Sequence, residues 1–261
     1  VLPWRATEGV LRGPVNESVL LIGSSGRVSV LEAGNSPSFD RTELFANSPS
    51  SDDMMSITRL GDVYWIGGAD WIDRFDSSQN LWIESIRTNE EGRSIATDGT
   101  DIYLGTAGGG LMVYDANGSL LQTLDEVSSP SITSDFIQDM SYDAYTSTLS
   151  LSHPSQGLTV WNLSSGTVTE FNEQASGAQE LDSDDVGEIA TRSGIVYIGS
   201  DEEGVMRIDL TTNEVIGSWQ SLGADELDWA PIASDGTTVW LGLDGFGVLV
   251  YDRVTGEVLD R

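Results

Sequence analysis

Short apolar runs rich in Ile, Val, Leu, Tyr and Trp recur along this chain, each broken by glycine or by a polar cluster. Residues 100–115, TDIYLGTAGGGLMVYD, set the pattern. They predict a strand over 102–106, a glycine-rich turn at 108–110, and a second strand over 111–114 closed by Asp115, which together make a β-hairpin. The same hairpin returns as SVLLIGSSGRVSVLE, VYWIGGADWIDRFD, TLSLSHPSQGLTVWN, VYIGSDEEGVMRID and VWLGLDGFGVLVYD. No stretch carries the 3.6-residue period of an amphipathic helix.

The small residue ending the first strand of each hairpin falls at Gly23, Gly67, Gly105, Ser152, Gly199 and Gly242. The polar residue ending the second falls at Glu32, Asp76, Asp115, Asn162, Asp209 and Asp252. Hairpin length is therefore nearly constant, and six repeats of about 44 residues fill the 261. Such a period, with four strands per unit, is the pattern of a propeller. A first, inner strand is expected before each hairpin, for example over 55–60, 93–97, 136–140, 186–190 and 229–233. An outer strand is expected after it, over 39–45, 81–86, 120–124, 168–171 and 215–219. The expected fold is all-β: a six-bladed β-propeller of four-stranded antiparallel blades in one domain over 1–261. The blades lie near 1–46, 47–88, 89–128, 129–175, 176–222 and 223–261. Either residues 1–4 pair beside the last outer strand and cover its edge, or the ring closes between whole blades.

The best-matched units, IYLGTAGGGLMVYD (102–115) and VWLGLDGFGVLVYD (239–252), resemble the two-component-regulator propeller repeat, a WD40-like type. That repeat reads roughly as an inner strand, a W-x-G-T segment, G-G-L and a terminal aromatic-Asp. VYIGSDEEGVMRID follows closely, whereas TLSLSHPSQGLTVWN departs most, with Ser152 in place of glycine, and the first unit lacks the aromatic before Glu32. The resemblance covers most of the chain. It implies the propeller fold and a role like those of its relatives: extracellular sensor modules, parts of large surface proteins and, more distantly, carbohydrate-active enzymes.

Composition narrows the partners. Against 42 Asp and Glu stand 12 basic residues, all of them Arg, giving a formal charge of -30. That charge opposes nucleic acid and anionic membrane, which both reward cationic side chains, and it suits solubility in a salty, marine or halophilic setting. The chain has no Cys, so disulfide and thiol chemistry are excluded. No apolar run approaches the roughly 20 residues of a membrane span. With no initiator Met at Val1, the chain reads as a piece of a longer polypeptide. Asn16, Asn117 and Asn162 each begin an N-x-S triplet, a glycosylation pattern that leans towards a secreted or surface location.

Counting back 14 residues from the hairpin glycines places Asp53, Glu91, Asp185 and Asp228 at equivalent positions; Asp135 takes that place in the fourth unit if its inner turn is about three residues longer, and Glu8 is one residue off. In a propeller these acids would ring one mouth of the central channel and could hold calcium or magnesium through oxygen. Acids are so frequent here that turn chemistry accounts for the same series. A glycosidase needs two carboxylates about 5 to 10 Å apart, and the sequence does not single out a pair. The lone His153 is placed in a hairpin turn, with an exposed, non-catalytic role. Trp65, Tyr103, Tyr197 and Trp240 are expected in the core. Trp71, Trp229 and Phe246, near loops, are candidates for a recognition rim. The expected function is a non-catalytic, surface or secreted module binding a protein, peptide or carbohydrate; the alternative is a carbohydrate-active enzyme using the mouth acids.

Overall fold

The computed structural model describes residues 10–11, 19–23, 27–31, 49–50, 53–200, 204–219, 231–243 and 247–260. The architecture is all-β, and the described residues hold one short helical turn, Gly177–Gln179. Val10–Leu11, Val19–Gly23 and Arg27–Leu31 (β1–β3) form a three-stranded sheet. Five four-stranded sheets follow, and in each the strands are neighbours in chain order. They are Met54–Leu60, Val63–Gly68, Trp71–Asp76 and Leu81–Arg87 (β4–β7); then Gly92–Thr97, Ile102–Thr106, Leu111–Tyr114 and Leu120–Leu124 (β8–β11). Next come Asp139–Asp143, Thr148–His153, Gly157–Asn162 and Val168–Phe171 (β12–β15), then Ile189–Arg192, Ile195–Ser200, Gly204–Asp209 and Glu214–Trp219 (β16–β19). Ile232–Ser234, Thr238–Leu243, Gly247–Asp252 and Val258–Asp260 (β20–β23) complete the set. The expected strand over 39–45, the segment 1–4 and its part in ring closure lie outside the described residues.

Two compact units divide the chain, Val1–Thr106 with Val113–Leu121, and Ala107–Met112 with Gln122–Arg261. In the first, Met54, Tyr64, Ile66, Phe75 and Trp82 form one apolar cluster. In the second, Leu158, Val160, Phe171, Val186, Val196, Ile198, Met206 and Ile208 interlock. There too Tyr197, Trp219, Val239, Leu241 and Tyr251 join, with Trp219 stacked on Tyr251 at 5.5 Å. The middle strands of the hairpins are near-continuous apolar runs buried on both faces, and that burial builds the clusters. Trp65, Tyr103 and Tyr197 are buried as expected. Trp71 is half-buried, with the Arg87 guanidinium 5.7 Å above its ring.

The polar residue ending each hairpin proves to be a turn cap. Asp76 Oδ1 accepts the amides of Ser78 and Gln79, Asp115 Oδ1 those of Asn117 and Ser119, and Asn162 Oδ1 those of Ser164 and Ser165. Asp209 accepts Thr211, and Asp252 accepts Val254 and Thr255. These Asx turns explain why the series is Asp or Asn at each of these five positions. The hydrogen bonds hold the carboxyls of Asp76, Asp115, Asp209 and Asp252 below the usual range.

Three first strands begin later than the apolar pattern suggested: β12 at Asp139 and β16 at Ile189, each three residues on, and β20 at Ile232. The apolar residues ahead of the first two, Ile137 and Val186, are buried from loop positions.

Candidate functional site

Strand β12 reads Asp139-Met-Ser-Tyr-Asp143, and its period of two puts Asp139, Ser141 and Asp143 on one face. All three reach backbone amides of the neighbouring sheet, the first two in β16 and the third in the turn after it. Asp139 Oδ2 accepts the amide of Ile189 at 2.9 Å, and Ser141 Oγ accepts that of Thr191 at 3.0 Å. Asp143 Oδ2 accepts the amide of Gly194 at 2.9 Å, and the Ser141 and Thr191 hydroxyls share a bond of 2.8 Å. The first strand of a sheet is an edge, and its outward N–H groups need partners. Here side chains of one sheet supply them to the next, which makes a polar seam.

At the head of the seam stand two acids. Glu188, immediately before β16, hydrogen-bonds Asp139, and burial, the Asp139 charge and that bond push its carboxyl up to about 7. Two carboxyls this close share a proton rather than both ionise. At the far end Asp143 is 3 % exposed, and its oxygens accept from Tyr145 N, Thr146 N, Thr146 Oγ1 and Gly194 N. One carboxylate therefore closes its own hairpin turn and the turn after β16.

The acids singled out by spacing are placed differently. Asp53 is exposed just ahead of β4. Glu91, ahead of β8, is ion-paired with Arg93 at 2.9 Å. Asp135 Oδ1 accepts the amide of Glu126 at 2.8 Å, while its own amide donates to Glu126 Oε1 at 3.2 Å. Asp184, the neighbour of Asp185, makes the same reciprocal pair with Glu173, at 2.6 and 2.9 Å. The carbonyls of Asp135 and Asp184 accept the amides of Gly110 and Gly157 respectively. Asp185 donates its amide to Ser183 Oγ, and Asp228 lies outside the described residues. Among the described residues no three His, Cys, Asp or Glu side chains converge to hold a metal ion.

His153 corrects the expectation of an exposed turn residue. It is the last residue of β13 and fully buried. Its register partner is Gly157, so the turn proper is Pro154-Ser155-Gln156 and the imidazole points inward. Nδ1 lies 2.9 Å from the carbonyl oxygen of Phe136 and Nε2 lies 2.9 Å from Thr159 Oγ1. A carbonyl can only accept, so Nδ1 carries the proton and Nε2 accepts from Thr159. Thr159 Oγ1 in turn accepts the amide and hydroxyl of Thr133. Burial holds the imidazole down at about 4. The network ties residues 133–136 to β14, a structural rather than a catalytic role. Asp73 does the equivalent work in the β4–β7 sheet, accepting Ser50 N and the Ser85 hydroxyl.

Of the glycosylation candidates, Asn117 is exposed in the turn after β10. Asn162 is half-buried and spends its Oδ1 on the Asx turn. Asn16 lies outside the described residues.

Two open concavities flank this region. A cleft of about 610 Å3 lies between Ser128, Pro130 and Ser131 on one side and Val168, Thr169 and Glu170 of β15 on the other. A smaller dish of about 280 Å3 sits at the Asp143 end of the seam.

No family model matches the chain, and no curated protein matches it. The fold does match solved structures. It is similar to the extracellular domain of a putative one-component system from B. thetaiotaomicron, with a TM-score of 0.73 and 16% identity over 97% of this chain. The chain spans 36% of that domain's length. It is also similar to the computationally designed Ika8 protein, with a TM-score of 0.69 and 17% identity, over 95% of this chain and 72% of that one. Identities this low establish likeness of fold alone.

Proposed function

We propose that this chain is a six-bladed β-propeller serving as a non-catalytic ligand-binding module of a larger secreted or surface protein. The observation that carries the reading is the likeness, over nearly its whole length, to the extracellular domain of a one-component system. Several features described above agree with it. Asp135 and Asp184 are engaged in loop staples and Asp139 in the seam, and the histidine is locked in a structural network. Its ligand is a protein, peptide or carbohydrate. The test is a ligand panel of glycans and peptides read by thermal shift and calorimetry, run beside an assay for turnover. Stabilisation by a ligand that is recovered unchanged is the expected result; turnover of a glycan by the chain would remove the reading.

A second reading, carbohydrate-active catalysis, is favoured by one observation, the part-buried Glu188 carboxyl raised to about 7 beside Asp139. A carboxyl that keeps its proton near neutrality is what a general acid requires. Glycan cleavage abolished by both Glu188→Gln and Asp139→Asn would establish that reading over the first.

A further inference from the structure

The dish at the Asp143 end of the seam presents two side chains, Arg192 and Tyr145, that none of the preceding structural roles uses. Its lining includes Tyr142, Asp143, Tyr145, Arg192 and Ser193. The Arg192 guanidinium has no ion pair or hydrogen bond among the described residues, in a chain where acids outnumber arginines by 42 to 12. The other described arginines of this unit are engaged. Arg207 lies 4.5 Å over the Trp219 ring and donates to the Ile216 carbonyl, and Arg253 donates to Tyr197 Oη and the Gly236 carbonyl. Arg192 runs across the face of Gly236, where a Cβ would stand 3.3 Å from its Nε. Beside it Tyr145 is 76% exposed, far more than a large aromatic ring usually is. Its backbone is nonetheless fixed, because its amide and that of Thr146 are held by Asp143. The charge of Asp143 is itself spread over four donors.

The geometry points to a binding site for a carboxylate carried on a single six-membered ring, with Arg192 donating to the carboxylate and the Tyr145 face covering the ring. A guanidinium fork matches a carboxylate in shape and charge, and an exposed tyrosine offers a rigid apolar plane at small entropic cost. The volume, about 280 Å3, is at the small end for ligand sites and suits a single ring. The inference rests on the ligand-binding reading above and assigns it a place and a chemistry. The ring is that of a sugar acid or of an aromatic acid; both present a carboxylate beside a ring face, of C–H groups in the one and of π surface in the other, that can lie on a tyrosine.

The test is titration of the whole chain with sodium glucuronate and sodium benzoate, each beside its neutral counterpart, glucose and benzyl alcohol. At least one carboxylate is expected to bind with a dissociation constant of about 1 mM, and the neutral molecules not measurably. Arg192→Gln should weaken binding about tenfold and Tyr145→Ala several-fold. Both side chains are exposed, so the melting temperature should hold. Binding of glucuronate alone assigns a sugar acid, and of benzoate alone an aromatic acid. Equal binding of the neutral counterparts, full affinity in Arg192→Gln, or no binding of either carboxylate at tens of millimolar overturns the assignment. If the wider glycan and peptide panel still yields a ligand in that event, the ligand-binding reading stands and only this site falls.

Discussion

The titrations of His153 and Glu188 affect stability in opposite senses. In the unfolded chain the imidazole takes a proton near pH 6.5, but burial delays that in the folded state to about 4. Stability tied to His153 is therefore complete above pH 6.5 and is lost as the pH falls towards 4. Glu188 runs the other way: its ordinary value of 4.5 is raised to about 7 beside Asp139, so its contribution is complete below pH 4.5 and is lost as the pH rises through 7. Glu188→Gln imitates the protonated side chain. It should leave stability unchanged at pH 4.5 and raise it by on the order of 1 to 3 kcal/mol at pH 8, measured by urea unfolding at both. A constant difference across that range would mean the pair does not share a proton. His153→Leu should cost about 3 kcal/mol at pH 7.5, because the Phe136 carbonyl and the Thr159 hydroxyl lose their partner. That deficit should shrink as the pH approaches 4, where the native imidazole has lost its own advantage. A deficit that stayed constant, or grew in acid, would contradict the assigned tautomer and burial.

At the scale of the element, the glycines immediately before Leu111 and Leu158 have a stated job. Gly110 has φ +73, and a Cβ there would stand 2.2 Å from the carbonyl oxygen of Leu124. Gly157 repeats this with φ +84 and 2.1 Å from that of Phe171. Two residues away, Gly108 has open space around the same imagined atom. Gly110→Ala should therefore cost about 3 kcal/mol through strain and a backbone clash, and Gly108→Ala well under 1. Thermal melts of the two variants side by side check this, and equal losses would refute it. Hairpins of this kind were legible in the sequence because most of what fixes them is local: an Asx cap, a glycine at positive φ, and apolar runs on two adjoining strands. The first strands were less legible. Residues 136–138 carry a strand-like apolar pattern, yet Phe136 lends its carbonyl to His153 and Gln138 its amide to Ser152, bonds between partners distant in sequence. The same limit hid the seam. Asp139 and Glu188 sit 49 positions apart among 42 acids, and only the adjacency of β12 and β16 singles them out. Spacing alone chose Asp135, a loop staple, and Asp185, whose neighbour Asp184 makes the equivalent staple.

For the whole molecule, the question is whether its acids hold it together or push it apart. Locally they hold: Asp76, Asp98, Asp115, Asp143, Asp209, Asp235 and Asp252 each accept backbone amides in turns. Such bonds are short-ranged and feel little of the surrounding salt. The formal charge of -30 acts over longer distances and is repulsive. The described ion pairs, Arg59–Asp62, Arg87–Asp70 and Arg93–Glu91, are all partly exposed, and pairs of that kind contribute about 0 to 1 kcal/mol each. Salt that screens them costs little, whereas shortening the Debye length from about 10 Å at 0.1 M to about 3 Å at 1 M removes most of the repulsion between separate turns. The melting temperature should therefore rise steadily from 0.1 to 1 M sodium chloride, and equally in potassium chloride, since screening does not distinguish the cations. Over the same range carboxylate binding at Arg192 should weaken, because there the charges attract. A melting temperature that fell with salt would place the balance with attractive pairs and remove self-repulsion as the dominant long-range term.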